Sequence, residues 1–349
     1  MPEPAEPAPH PLLPPLALAA YVACVAGAGA LANCSLLAAL LKSSTSGLFS
    51  ILLQLAIADI ALGASISTEI WSYTMKNWTM GTCSCIAYRG LSVFASTASA
   101  YFIATVALHT LATANLEEKS LARRLRRNNQ DEDEEIRSSR HSLVASSDSS
   151  TPTRTMNVEY RVSSSRVPIT QPTVFVWVLA ISLSVPDFTL ATTIELDHNA
   201  IVCTIVDSSQ RHHLYSILAL INLFLPAMIM CAAGALVIIK LKSKRLVISQ
   251  IEGCESIAAL KLSLWLIIVY FVLCAPRSVL TTYNVYSRSM RANETLIEFI
   301  HYDNGSTSLG LALSCIYLSS ILVRPLLCIV LLPSVRQAFS YSHRDTDNV

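Results

Sequence analysis

Asp59 sits near the middle of a long apolar stretch that Glu69 also interrupts, and Arg89, Arg277 and Arg324 interrupt other stretches of the same kind. A lone carboxylate at mid-membrane depth costs about 2.5–3.5 kcal/mol on insertion scales, so Asp59 needs a partner and is functional by default. The chemistry open to such a set is charge pairing and the reading of a charged ligand. Metal-assisted hydrolysis would need clustered His and acidic ligands. His109 is isolated, and His212-His213 fall in a loop, so no metal site, catalytic residue or cofactor is expected.

The elements that carry these charges are seven apolar runs, near Leu16–Leu41, Phe49–Tyr73, Ile86–Ala114, Val174–Thr193, Leu214–Leu241, Ile257–Leu280 and Leu309–Leu332. Each meets the length of about 20 residues that a helix needs to cross about 30 Å of hydrocarbon. Hydrophobic residues make up 52% of the chain and charged residues 14%, with a mean hydropathy of +0.49. That is too oily for a soluble globular domain of this length. The runs, numbered here as spans 1 to 7, predict an all-α, seven-helix transmembrane bundle in contact with the lipid bilayer.

Lys and Arg sort by loop. The segments after spans 1, 3 and 5, with the C-terminal tail, hold Lys42, the residues from Lys119 to Arg166, Lys240, Lys242, Lys244, Arg245, Arg336 and Arg344. The opposite loops hold Lys76, Arg211, Arg288 and Arg291. The positive-inside rule then puts the N-terminus outside, as expected for a multi-pass plasma-membrane protein. Asn-x-Ser/Thr sequons at Asn77, Asn293 and Asn304 fall on the outer side, an independent vote for that topology. A fourth, at Asn33, lies inside span 1 and is expected to be silent. Residues 1–15 are Pro-rich without the basic start of a signal peptide, which leaves span 1 as its own signal anchor. Most cysteines fall inside spans, where they are small apolar fillers. Cys85 and Cys203 lie at the outer, oxidising face.

The chain divides into an extracellular segment (1–15), spans 1–3 (16–115), a long loop (116–171), spans 4–7 (172–333) and a tail (334–349). The long loop holds Arg123, Arg124, Arg126 and Arg127, then an acidic run Asp131–Glu135, then a Ser/Thr-rich stretch. Its low hydrophobicity and clustered charge predict disorder beyond a continuation of the span 3 helix through Leu125. Pro333 breaks span 7. Val335, Ala338 and Phe339 then follow at i, i+3, i+4 spacing, which suits a short amphipathic helix along the membrane surface.

Asn33, Asp59, the Trp78/Gly81/Cys85 group, Trp177 with Pro186, Pro226, Pro276 and Pro325 occur in this order along the seven spans. The ordered set resembles the rhodopsin-like family of G-protein-coupled receptors. The resemblance implies a receptor for an extracellular ligand that signals to a heterotrimeric G protein or arrestin, with no enzymatic activity and no nucleic-acid partner. It implies a disulfide between a cysteine of the Trp-x-x-Gly-x-x-x-Cys group and one in the second outer loop, where Cys203 is available. Cys83 competes for that bond, and the spacing favours Cys85. Counting along span 3 from Cys85 places Ser99 where the family has a sodium-coordinating Ser.

Three switch positions depart from the family. His109-Thr110-Leu111 stands where the family has Asp-Arg-Tyr, Cys274 where it has its span 6 Trp, and Arg324-Pro325-x-x-Cys328 where it has Asn-Pro-x-x-Tyr. In the family the span 2 Asp, the span 3 Ser and the span 7 Asn surround a sodium ion. Here Arg324 would set a guanidinium beside Asp59. Snorkelling of Arg324 toward the cytoplasm is the alternative. Both charges must find partners in hydrocarbon, which favours the pair. Loss of the span 3 Arg, with Cys328 in place of the span 7 Tyr, implies coupling that is weak, non-standard or absent, and a non-signalling receptor fold (a ligand decoy or a chaperone-like membrane partner) is the competing reading.

Span 3 carries Ser92 at the depth where amine receptors carry Asp, which disfavours an amine ligand. Leu318 replaces the Schiff-base Lys of retinal proteins, which excludes an opsin. Arg277, after Pro276, is expected to face the cavity with Arg89 above it on span 3 and Glu69 on span 2. These residues suit a peptide or an anionic small ligand. Internal pairing of Glu69 with one of the arginines is an equal alternative.

Overall fold

The computed structural model describes residues 14–42, 46–75, 77–142, 167–195, 201–247, 255–290 and 304–338. Of 121, 124–142, 208, 244–247, 285–290 and 304–307 it describes the backbone only. Among the described residues, seven helices are long and apolar enough to cross a membrane. Span 1 is α1 (Pro15–Lys42), span 2 is α2 (Gly47–Met75), span 3 begins α3 (Gly81–Ser142) and span 4 is α4 (Thr170–Leu190). Strands β1 (Ala191–Glu195) and β2 (Ile201–Ile205) pair antiparallel in the loop after span 4. Span 5 joins α5 (Ser208–Leu218), a π-helical turn Ala219–Phe224 and α6 (Leu225–Val247). Span 6 joins α7 (Glu255–Val269), a π-turn Tyr270–Cys274 and α8 (Ala275–Met290), and span 7 is α9 (Asn304–Leu331). The protein is a seven-helix, multi-pass membrane bundle.

Span 3 packs against spans 2, 4, 5 and 6 and forms the centre of the bundle. Its Ala98, Phe102, Ile103, Val106 and Ala107 are fully buried. Lipid tails are as apolar as Leu, so helices in a membrane associate by close packing and interhelical hydrogen bonds rather than by hydrophobic burial. Spans 1, 2 and 7 show how. Ile321 of span 7 lies on Gly29 of span 1 and Gly63 of span 2. A Cβ at Gly29 would come 2.9 Å from Ile321 Cγ2, and one at Gly63 would come 3.2 Å from its Cδ1. One turn away on each helix sit Asn33, Asp59 and Arg324. The small residues set the approach that lets the polar residues meet. Asn33 Nδ2 donates to Ile321 O at 3.0 Å and to Gly29 O at 2.9 Å, stitching span 1 to span 7.

The π-turns follow from the prolines. Pro226 and Pro276 lack an N–H and crowd the carbonyl four residues earlier. The residue before each proline donates one position further back, Leu225 N–H to Leu220 O and Ala275 N–H to Tyr270 O. In span 5 this wider turn releases Ile221 O, which accepts from Tyr101 OH of span 3 at 2.7 Å. Asp207 caps the start of span 5, its Oδ1 accepting from Ser209 N at 2.8 Å and Gln210 N at 3.2 Å.

Two features differ from the sequence expectation. The α3 helix runs to Ser142 instead of ending near Leu125, so helical backbone stands over 126–142 where disorder is expected from sequence. The extension from 116 to 142 contains no Gly or Pro and is rich in Arg and Glu, with Leu116, Leu121 and Leu125, all residues that sit well in a helix. Residues 143–166 lie outside the described residues. The β-hairpin is not among the sequence expectations, although Thr and Ile in both its strands favour extended backbone. Residues 333–338 are helical after Pro333, with Val335 buried and Ser334 Oγ donating to Glu255 Oε1 at 2.8 Å. Phe339 lies outside the described residues.

Candidate functional site: three ion pairs around one cavity

Arg324 is a buried charge, 2% exposed. Its Nη1 donates to Asp59 Oδ1 and to Ser99 Oγ. Its Nη2 lies 3.0 Å from Cys274 Sγ. Ser99 Oγ also donates to Asp59 Oδ1 at 3.2 Å. One guanidinium thus joins span 2, span 3, span 6 and span 7. Snorkelling is not adopted: the side chain turns inward, where the carboxylate, hydroxyl and thiol partner its two Nη atoms, while Nε is buried without a hydrogen bond. Removing one partner from such a buried pair strands the other, which is far costlier than the net worth of the pair.

A second pair lies toward the end of the bundle that carries the β-hairpin. Arg277 of span 6 donates to Glu69 of span 2 through Nε at 3.0 Å and through Nη2, a two-pronged grip. Ser314 Oγ of span 7 donates to Glu69 Oε1 at 3.0 Å. The Arg277 guanidinium also stacks 5.1 Å from the Tyr317 ring centroid. The equal alternative from sequence, internal pairing of Glu69 with an arginine, is the arrangement found.

The third pair joins Arg89 of span 3 to Asp187 of span 4, with Nη2 at 2.7 Å from Oδ1. Neither oxygen of Asp187 receives a well-aligned hydrogen bond, so the contact is one of proximity and charge. Gly90 explains how span 4 comes so close: a Cβ there would overlap the Phe188 ring. Arg89 also lies 5.4 Å from the Tyr215 ring centroid. Asp187 escaped the sequence reading, yet the argument applied to Asp59 finds it: it is a carboxylate inside an apolar span, one residue after Pro186.

A cavity of about 210 Å³ opens among spans 2, 3, 5 and 6. It brings together the four residues singled out from sequence as ligand contacts, Glu69, Arg89, Ser92 and Arg277. The hairpin lies at the end of span 3 from which Arg89 projects. Cys85 and Cys203 form a disulfide with Cα atoms 5.6 Å apart, tying β2 to span 3. Cys83 is exposed and unbonded. Trp78 N–H donates to Ile201 O at 2.7 Å, and Asn77 Oδ1 accepts from Ile201 N at 2.8 Å. The loop before span 3 and the hairpin are therefore one unit. Asn293 lies outside the described residues, as does the side chain of Asn304.

The span 3 switch positions lie at the end of the bundle opposite the hairpin. Thr110 Oγ1 donates to Ala107 O in its own helix at 3.0 Å and is buried. His109 packs over Gly47 at the start of span 2, where a Cβ would come 2.7 Å from Nε2. Glu118 of the α3 extension pairs with Lys240 of span 5. Trp177 donates from Nε1 to Gln54 Oε1 at 3.0 Å and packs on Phe94 and Phe102. Pro276 and Pro325 lie inside spans 6 and 7, beside Arg277 and Arg324.

A family model described as 7 transmembrane receptor (rhodopsin family) matches residues 155–316, a little under half of the chain. The match covers spans 4, 5 and 6 and enters span 7, and the family is one of receptors, not of enzymes. No curated protein matches the chain.

Proposed function

We propose that this protein is a G-protein-coupled receptor-like plasma-membrane receptor, with its N-terminus outside, for a peptide or an anionic small ligand. The observation that carries this reading is the cavity, which gathers Glu69, Arg89, Ser92 and Arg277 under a disulfide-tied hairpin. The similarity of residues 155–316 to the rhodopsin-family receptors supports it. Arg277 of span 6 stands one turn from Cys274, and Cys274 touches Arg324, so a group entering the cavity has a short route to the core pair. Transduction then runs through an atypical switch. Asp59, Ser99, Cys274 and Arg324 hold the core, Asn33, Pro276 and Pro325 shape the helices around it, and His109 and Thr110 occupy the inner end. A heterotrimeric G protein or arrestin is the partner.

One observation favours a second reading. Thr110 stands where the family's Arg would reach a bound G protein, and its hydroxyl is used within its own helix. A ligand decoy or a chaperone-like membrane partner with a receptor fold has no need of that arm.

The test is an N-terminal epitope tag read on intact cells, combined with assays for G-protein activation and arrestin recruitment across a ligand panel. Surface staining with either response supports the receptor. Surface staining and ligand binding without any response supports the decoy. Staining only after permeabilisation overturns the orientation and both readings.

A further inference from the structure

The cavity distinguishes its two kinds of charge. In both of its ion pairs the cation is the more exposed partner: Arg89 is 17% exposed against 0% for Asp187, and Arg277 15% against 7% for Glu69. Glu69, Arg89 and Arg277 line the cavity, whereas Asp187 lies behind it, so the lining carries one net positive charge. Glu69 already accepts from Arg277 Nε, Arg277 Nη2 and Ser314 Oγ. An incoming ammonium would have to displace those donors to reach it. Asp187 takes no aligned hydrogen bond from Arg89, and Arg89 Nε has no hydrogen-bond partner, so this guanidinium is less fully engaged than that of Arg277. Tyr215 and Tyr317 back the two guanidinium planes and hold them in place, and a planar fork held in this way suits a carboxylate.

Size narrows the ligand further. At about 210 Å³ the cavity is below the roughly 300–1,000 Å³ of common small-molecule sites. It admits a head group and little more. The remaining lining is neutral and hydroxyl-rich, with Tyr73, Ser92, Asn222 and Thr281 among it.

The geometry points to a monoanionic carboxylate as the group that this cavity binds, bridging Arg89 of span 3 and Arg277 of span 6. The inference rests on the reading of the cavity as a ligand site and specifies what that site takes. If the ligand is a peptide, it enters with a free C-terminal carboxylate, and an amidated peptide does not compete. A carboxylate shared by the two arginines draws the outer part of span 6 toward span 3 and loosens the grip of Arg277 on Glu69.

The experiment is thermal unfolding of the full-length, detergent-solubilised protein at fixed ionic strength and fixed sodium. Benzoate, its neutral counterpart benzamide and the cation trimethylphenylammonium are the small probes. The tripeptide Gly-Gly-Phe with a free or an amidated C-terminus separates the peptide source from the small-acid source. Benzoate is expected to raise the unfolding temperature saturably, while benzamide and the cation do not. Free Gly-Gly-Phe acting where its amide does not supports a peptide C-terminus, and benzoate alone acting supports a small acid. Single loss of an arginine strands its carboxylate, so the variants are the neutral pairs Arg89→Gln with Asp187→Asn, and Arg277→Gln with Glu69→Gln. Each is expected to weaken the benzoate effect about tenfold or more, as for one lost charge-assisted hydrogen bond. Equal effects of benzoate and benzamide, a stronger effect of the cation, or an undiminished benzoate effect in both neutral pairs would overturn the inference. An uncharged ligand that evokes a cellular response through this cavity would also overturn it, while leaving the receptor reading standing. Saturable benzoate binding without any cellular response would uphold the inference and count against signalling.

Discussion

Arg324 Nη1 donates to Asp59 Oδ1 and to Ser99 Oγ at once, so span 7 places a tethered cation at the point where spans 2 and 3 present a carboxylate and a hydroxyl. Rhodopsin-like receptors put a mobile sodium ion among residues of this kind. A covalently attached guanidinium cannot leave, and it reaches further, to Cys274 of span 6. The consequence is a core whose charge is balanced inside the chain.

Sodium should therefore do nothing specific. Replacing sodium by choline at constant ionic strength is expected to leave the unfolding temperature of the wild-type protein unchanged. Arg324→Asn removes the tethered cation and keeps Asp59 and Ser99, so that variant is expected to gain a sodium-dependent stabilisation. A saturable sodium effect on the wild type would mean that Arg324 leaves the site free.

The approach of spans 1, 2 and 7 depends on Gly29 and Gly63 beneath Ile321. Gly29→Val is expected to overpack that contact and to destabilise by about 1–3 kcal/mol. Because the added methyls would meet Ile321 itself, combining it with Ile321→Ala is expected to restore part of the loss. Unfolding midpoints of the three variants decide this, and a double variant worse than Gly29→Val alone would refute the contact.

How far the sequence alone reaches is visible in these residues. Asp59 and Arg324 are both charges in apolar runs, and counting from neighbouring anchors places them at one depth. The seven spans follow from hydropathy and length. The close approach that lets the two charges meet rests on glycines whose role appears only when Ile321 is seen lying on them. Asp187 was readable and passed over. The π-turns need the three-dimensional fate of carbonyls freed by Pro226 and Pro276, which no spacing reports. Which arginine Glu69 takes depends on helix rotation, and periodicity leaves that open.

The Cys85–Cys203 disulfide ties the hairpin to span 3. Cys203→Ser is expected to cost about 2–5 kcal/mol and to retain the protein inside the cell. Cys83→Ser is expected to leave surface delivery unchanged, since Cys83 is exposed and unbonded. Surface labelling of the two variants separates them, and equal retention would place Cys83 in a bond as well.

Asn77 is a sequon whose side-chain oxygen is already bound to the hairpin backbone. If the N-terminus is outside, as proposed, glycan is expected on Asn293 or Asn304, and Asn77→Gln should leave the mobility shift on deglycosylation intact. A shift lost with Asn77→Gln would show that the sequon is used before the hairpin docks.

The central claim is that Asp59 and Arg324 form one buried unit, with a tethered cation where rhodopsin-like receptors hold an ion. A double-mutant cycle on unfolding free energy measures it most directly. Arg324→Ala alone is expected to destabilise by about 3–5 kcal/mol, because it strands a buried carboxylate. Asp59→Asn combined with Arg324→Asn is expected to recover much of what either single Asn variant loses. Single-variant losses that add in the double variant to within about 0.5 kcal/mol would contradict the claim and show that the two residues do not interact.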